Sequence, residues 1–256
     1  VDQTGAAVPA VKITATNVAS GARIEAISSD AGLYVFASLP PAVYSVSAEK
    51  VGFKKTTRAD IEVRIGQRID MNIGMEIGDV QQSVTVSSEV PLLETSTSER
   101  GNNVSVKFMN DLPLFNGGIR NMRNFVSYLP GVTANSEQSV NGSGGRGQEM
   151  IIDGASALNV ESSTMLTVPS AEMFSEFKMN SSNYSAEFGR VAGGVEMYVP
   201  KSGTNWIHGT TFLNMRRDIW QANAWARNAS TNPATNFRPK DRYNEIGGAI
   251  GGPVWI

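Results

Sequence analysis

Glu176-Phe177-Lys178-Met179-Asn180-Ser181-Ser182-Asn183-Tyr184-Ser185-Ala186-Glu187-Phe188-Gly189-Arg190-Val191-Ala192-Gly193-Gly194-Val195 leads on to Lys201-Ser202-Gly203-Thr204-Asn205 and His208-Gly209. Gly189, Gly193 and Gly194, with Arg190 among them, separate an aromatic-containing segment from a β-like one. Glycine reaches backbone angles closed to other residues, so the chain is expected to turn tightly at these fixed points. The pattern predicts a short, packed hinge between two structural units.

Upstream, residues Val1 to Ile77 read as all-β. Ile69, Met71, Ile73, Met75 and Ile77 alternate with Asp70, Asn72, Gly74 and Glu76, the period of a strand with one buried face. Ile61 to Ile65 alternates in the same way, and Gly66-Gln67 between the two runs predicts a tight turn. Val11, Ile13 and Ala15 form another alternating set, and Tyr44, Val46 and Ala48 a further one. After Gly32, Tyr34 and Phe36 share one face while Leu33 and Val35 share the other. Turn signals at Asp30-Ala31-Gly32, Pro40-Pro41 and Val51-Gly52 recur at the spacing of a β-sandwich.

Residues 78–103 read as a linker. Ser83-Val84-Thr85-Val86-Ser87-Ser88-Glu89 alternates like a strand, whereas Pro91 to Glu99 is polar and rich in Ser and Thr. Residues 104–201 read as mixed α/β. Asn121 to Leu129 is expected to form a short helix with Met122, Phe125, Val126 and Leu129 on one face, ended by Pro130-Gly131. From residue 202 onward, His208 to Asp218 has about the ten residues of a tilted membrane strand.

Several of these segments resemble known families. Asp30-Ala31-Gly32-Leu33-Tyr34-Val35-Phe36, Leu39-Pro40-Pro41, Tyr44-Ser45-Val46 and Gly52-Phe53 are similar to the carboxypeptidase regulatory-like, transthyretin-like sandwich, with Ala42 where that family usually has glycine. Such domains are grouped with carbohydrate-binding-like folds; a spacer role is the plainer alternative. Leu112-Pro113-Leu114, Leu129-Pro130-Gly131-Val132, Val140-Asn141-Gly142, Met150-Ile151-Ile152-Asp153-Gly154 and the opening stretch resemble, in order, the plug domain of Oar-like TonB-dependent outer-membrane receptors. Phe237-Arg238-Pro239 and Ile246 to Pro253 resemble an early barrel hairpin of the same family. Departures stand at Glu196, Met197 and Pro200, where the family tends to keep apolar residues and threonine. Pro200 lacks a backbone donor, so the last plug strand is expected to end early.

The resemblance implies a mostly β fold with a small α/β part. A transthyretin-like sandwich (1–77) and the linker (78–103) precede a plug domain (104–201) and the first strands of a truncated outer-membrane β-barrel (202–256). The chain opens at Val1 without a methionine or a signal-like segment and stops at Ile256 within a strand-like run, so it reads as a piece cut at both ends. A complete barrel of this class has about 22 strands. The implied function is energised uptake of an unidentified small molecule, oligosaccharide or peptide, with the TonB-ExbB-ExbD complex and outer-membrane lipid as partners. The sandwich and plug would lie on the periplasmic side or inside the barrel. Ser83, Val84, Thr85, Val86 and Ser87 are the candidate TonB contact, by strand addition; an ordinary last strand of the sandwich is the alternative. Gly189, Arg190, Gly193, Gly194, Lys201 and Gly203 are the candidate plug–barrel junction. Arg190 is a candidate partner for a barrel-wall carboxylate or, alternatively, a solvated arginine in a glycine-rich loop. Trp206, Trp220 and Trp225 fit an interfacial aromatic girdle or a small core equally well.

Composition narrows the chemistry. A net charge of −2 makes no case for nucleic acid. The absence of cysteine removes disulfides, thiolate metal sites and cysteine nucleophiles. No apolar run approaches the roughly 18 residues of a membrane helix, which leaves a β-barrel open. Gly142-Ser143-Gly144-Gly145-Arg146-Gly147 has G-x-G-x-x-G spacing, but a strand-like run follows where a dinucleotide site needs a helix. With one histidine, His208, a zinc peptidase site is not expected, and no motif supports a hydrolase triad. The chain is read as a non-enzyme without cofactor or metal. The rival reading is a secreted or surface carbohydrate-binding or adhesion module without transport.

Overall fold

The computed structural model describes residues 1–78, 83–87, 99–105, 108, 112, 123–133, 139–144, 147–159, 161, 166, 170–189, 191–232, 234 and 236–254, with backbone alone for 83–87 and 105. The chain divides into two compact units, Val1–Asn205 and Trp206–Ile256.

The first unit holds two five-stranded sheets. One is built from β1 (Lys12–Asn17), β2 (Arg23–Ile27), β3 (Ala42–Glu49), β4 (Lys55–Val63) and β5 (Ser83–Ser87), in the order β2-β1-β3-β4-β5. Its inner face follows from alternation. Ile13 and Ala15 lie opposite Ala48 and Val46, and all four are buried. In β4 the inward side changes from Thr56 to Ile61, five residues on. A bulge opposite Ser45 supplies the odd residue, with Asp60 at φ 58°.

The second layer of this sandwich is extended but lacks a strand ladder. The run 69–77, expected as a strand, joins no ladder among the described residues: it makes an isolated bridge, Ile77 to Phe53, and exchanges hydrogen bonds with Val1, whose amine donates to the Ile73 carbonyl and whose carbonyl accepts from the Met75 amide. Its alternation still packs: Ile73 and Met75 are buried, with Ile69 and Met71 against the same core, whereas Ile77 is exposed. Tyr34 and Phe36 close the core from the second extended run and meet edge to face, and the Tyr34 hydroxyl donates to the Met71 carbonyl. Leu33 and Val35 point outward. Alternation thus sets which side chains go inward, while the ladder partners are supplied elsewhere.

The other sheet of this unit comprises β6 (Arg100–Ser105), β7 (Gln148–Ile152), β8 (Ala155–Ser156), β9 (Phe174–Ser182) and β10 (Gly194–Pro200), in the order β6-β9-β10-β7-β8. β6 begins inside the stretch read as a linker. β10 holds the centre, antiparallel to β9 and parallel to β7, so the Met150–Ile152 run lies beside the central strand. The expected helix is one turn, α1 (Arg123–Val126). Leu129 follows in a turn and stays buried with Phe125 and Val126, while Met122 lies outside the described residues. These side chains cover Phe174, Phe177 and Tyr198, whose rings meet at centroid distances of 5.4 and 5.5 Å.

The second unit contains β11 (His208–Arg217) and β12 (Arg242–Gly251), paired antiparallel over ten residues from His208↔Gly251 to Arg217↔Arg242. A short helix, α2 (Trp225–Asn228), lies in the connection.

Candidate functional site

The glycine-rich stretch enters β10 through a bend that no side chain fits. Gly194 has φ +119°, and a Cβ there would lie 2.8 Å from the Asn180 carbonyl oxygen. A Cβ on Gly193 would collide with Ser143. The Gly147 carbonyl accepts from the Ala192 and Gly193 amides at 2.9 and 2.8 Å, and the Tyr184 hydroxyl donates to the Val191 carbonyl at 2.8 Å. Gly147, the last glycine of the G-x-G-x-x-G segment, thus seats the start of β10 and leads directly into β7, a strand.

The five junction residues that are described do not form one cluster. Gly193 and Gly194 open β10; Lys201 and Gly203 follow its end, six residue steps or about 20 Å along a strand. Lys201 is tied there by its amide to the Met173 carbonyl at 2.9 Å, and its ammonium lies 4.0 Å from Glu172. Gly203 is exposed, Gly189 sits in the loop after Phe188, and Arg190 lies outside the described residues. The register shifts between Val199 and Pro200, and Pro200 ends the strand.

β10 carries an acid into the core. Glu196 is 0% exposed and accepts a hydrogen bond from the equally buried Tyr198 hydroxyl. Its Oε1 has no hydrogen-bond partner among the described residues. Burial pushes the Glu196 carboxyl up, opposed in part by the Tyr198 hydrogen bond and by the Arg123 charge. Burial and the neighbouring Glu196 push the Tyr198 phenol well up. Arg123 also donates to Gln148 Oε1 at 3.2 Å.

Ser83, Val84, Thr85, Val86 and Ser87 form β5, parallel to β4 from Lys55↔Ser83 to Ala59↔Ser87. They are thus the last strand of the first sheet. They are also its edge, with no strand on the outer side among the described residues.

The β11–β12 hairpin has two unlike faces. Leu213, Met215, Ile246 and Ile250 are 40% to 85% exposed, and the register places them on one side. The other side carries Asn214, Arg216, Tyr243 and Glu245, joined by hydrogen bonds from Asn214 and Tyr243 to Glu245 and by Arg216 over the Tyr243 ring at 5.4 Å. Ten residues rise about 34 Å, or about 24 Å across a membrane at a tilt near 45°, close to the apolar band of about 25 Å in such barrels. Trp206 and Trp220 bracket the strand and are exposed, as is Trp225 in α2. His208 opens β11, also exposed. Among the described residues no group of three His, Cys, Asp or Glu is placed to hold a metal.

β9 also carries a polar row not singled out from the sequence, Glu176, Lys178 and Asn180, at a period of two on the side away from Phe177 and Met179. That alternation was its visible signal.

Residues 1–76 match the carboxypeptidase regulatory-like domain family model, and residues 199–256 match that of an outer membrane beta barrel domain. The TonB-dependent transporter Oar of Myxococcus xanthus is 24% identical over 250 residues, covering 95% of this chain and 24% of that protein. The chain thus spans about a quarter of the length of this curated relative. Among solved structures, the siderophore receptor PirA from Pseudomonas aeruginosa aligns with TM-score 0.38 and 18% identity, over 46% of this chain and 21% of that one. PirA from Acinetobacter baumannii aligns with TM-score 0.43 and 17% identity, over 60% and 22%. By name the curated relative is a transporter, and the two solved structures are receptors.

Proposed function

We propose that this chain belongs to an Oar-like TonB-dependent receptor of the outer membrane and forms the energy-receiving part of a ligand uptake machine. In this reading residues 1–77 are a periplasmic sandwich and 78–103 a connection carrying the TonB contact. Residues 104–201 are the plug, and 202–256 the first barrel strands. A ligand captured from outside passes through the barrel after TonB, energised by ExbB and ExbD, pulls on the chain and rearranges the plug.

The observation that carries the reading is the β11–β12 hairpin. It sets four apolar side chains on one face and a hydrogen-bonded polar row on the other, over a length that fits a membrane. A soluble domain would cover that apolar face.

The TonB contact is assigned to the free edge of β5. Strand addition uses backbone groups, and successive residues of a strand present theirs to opposite edges. One of two adjacent proline substitutions, Val84→Pro or Thr85→Pro, therefore removes an outward donor. The test is binding of the purified TonB periplasmic domain to the chain in detergent. Binding is expected, with loss in one of the two proline variants. Undiminished binding by both variants contradicts the assignment.

A further inference from the structure

Lys178 is 2% exposed, a burial that lysine tolerates only when its ammonium is satisfied. Its Nζ donates to the Gly66 carbonyl at 2.9 Å and lies 3.7 Å from Glu99 Oε2. Asn180 Nδ2 donates to the same Glu99 oxygen at 3.1 Å. The Ile65 amide in turn donates to Glu176 Oε1 at 2.6 Å. Ile65 and Gly66 belong to the tight turn after β4, closed by the Gln67 amide on the Arg64 carbonyl at 3.2 Å. A turn of the first sheet thus offers one donor and one acceptor to the polar row on β9, and receives the complementary group at each.

A second turn makes a similar pair. The Ala19 carbonyl accepts from the Asn205 amide at 3.2 Å, and the Ser20 carbonyl from the Asn205 side-chain amide at 2.5 Å. A Cβ on Gly21 would lie 3.2 Å from that same nitrogen. Asn205 is the last residue of the first compact unit. The three side-chain contacts join residues 111, 112 and 185 positions apart, so chain connectivity alone does not hold them.

We propose that the first sheet acts as a clip, its turns Ala19–Gly21 and Arg64–Gln67 holding β9 and the exit segment 201–205 as one body. A displacement of the first sheet then reaches β9 and Asn205 together. The inference stands on these contacts and does not depend on the transport reading.

Site-resolved amide hydrogen exchange on the whole chain tests it. In the wild type the Ile65 and Asn205 amides are expected to be protected. Glu176→Ala removes a charge-assisted acceptor and is expected to speed Ile65 exchange about ten- to a hundredfold. Because the clip opens as one body, Asn205 exchange is expected to speed up as well, with the Ala15 and Phe177 amides unchanged. Glu176→Gln keeps an acceptor oxygen and is expected to retain most of the Ile65 protection. Faster exchange at Ile65 with Asn205 unaltered makes the two contacts independent and overturns the clip. So does a wild-type Ile65 amide that exchanges at the unprotected rate. If Glu176→Ala does not fold, Asn205→Ala reads the coupling from the other side: the clip requires faster exchange at Ile65, and an unchanged rate there overturns it.

Discussion

Tyr198 donates its phenolic hydrogen to Glu196 inside an apolar core, the two side chains lying two residues apart on one face of β10. The pair sits at the centre of the sheet, between Met179 on β9 and Met150 on β7 in register with Glu196. A carboxylate so enclosed, with one oxygen lacking a hydrogen-bond partner among the described residues, is a local cost to the fold.

Its pH dependence has a definite sign. The folded carboxyl is held above its ordinary value of 4.5, so the folded state binds the proton more tightly than the unfolded one. The penalty is absent below the unfolded value and grows as pH rises through the folded one. Glu196→Gln keeps an acceptor for Tyr198 without the charge. It should stabilise the first unit by about 1–3 kcal/mol at mildly alkaline pH, with the gain vanishing in acid. Urea melts of both proteins across that pH range check this, and an equal gain at both extremes contradicts it.

Gly194→Ala should destabilise the same unit by about 1–3 kcal/mol, since alanine meets both the left-handed φ of +119° and the Asn180 carbonyl. Gly189→Ala, with nothing within 4 Å of the added carbon, is the control and should be nearly neutral. Thermal melts of the two variants side by side decide between them.

The outward face of the hairpin should be intolerant of charge once the protein is in lipid. Leu213→Arg and Ile246→Arg, cross-strand neighbours on the apolar side, are each expected to cost about 2–4 kcal/mol if they lie near the bilayer midplane. Asn214→Arg on the polar side is expected to cost far less. Folding titrations of the protein into liposomes measure the difference.

Legibility in the sequence followed the range of the forces involved. Alternation is local, and it placed Ile13, Ala15, Val46, Ile73, Met75, Tyr34 and Phe36 inward. Hydrogen-bond partners are not local. The runs at 33–36 and 69–77 have strand periodicity without a ladder, and Ser83–Ser87 joins β4 in a pairing that no nearby residue dictates. The glycine bend before β10 was legible because Gly193 and Gly194 announce a backbone requirement. That Lys201 and Gly203 lie a full strand away was not, since sequence proximity hides the length of an extended segment. Glu196 stood out as a departure from the family pattern. Its burial depends on Tyr198, Arg123 and the cover given by α1, which only the tertiary structure assembles.

The central claim, that this chain takes up force from TonB through β5, is tested most directly by disulfide scanning in cells. These 256 residues contain no cysteine, so single cysteines at Ser83, Val84, Thr85, Val86 and Ser87 can be paired with cysteines in the pairing strand of TonB. Crosslinks are predicted at successive β5 positions with a register of two, absent from control cysteines at the exposed Val51 and Trp225. A receptor that reaches the outer membrane yet yields no crosslink along β5 would contradict the account.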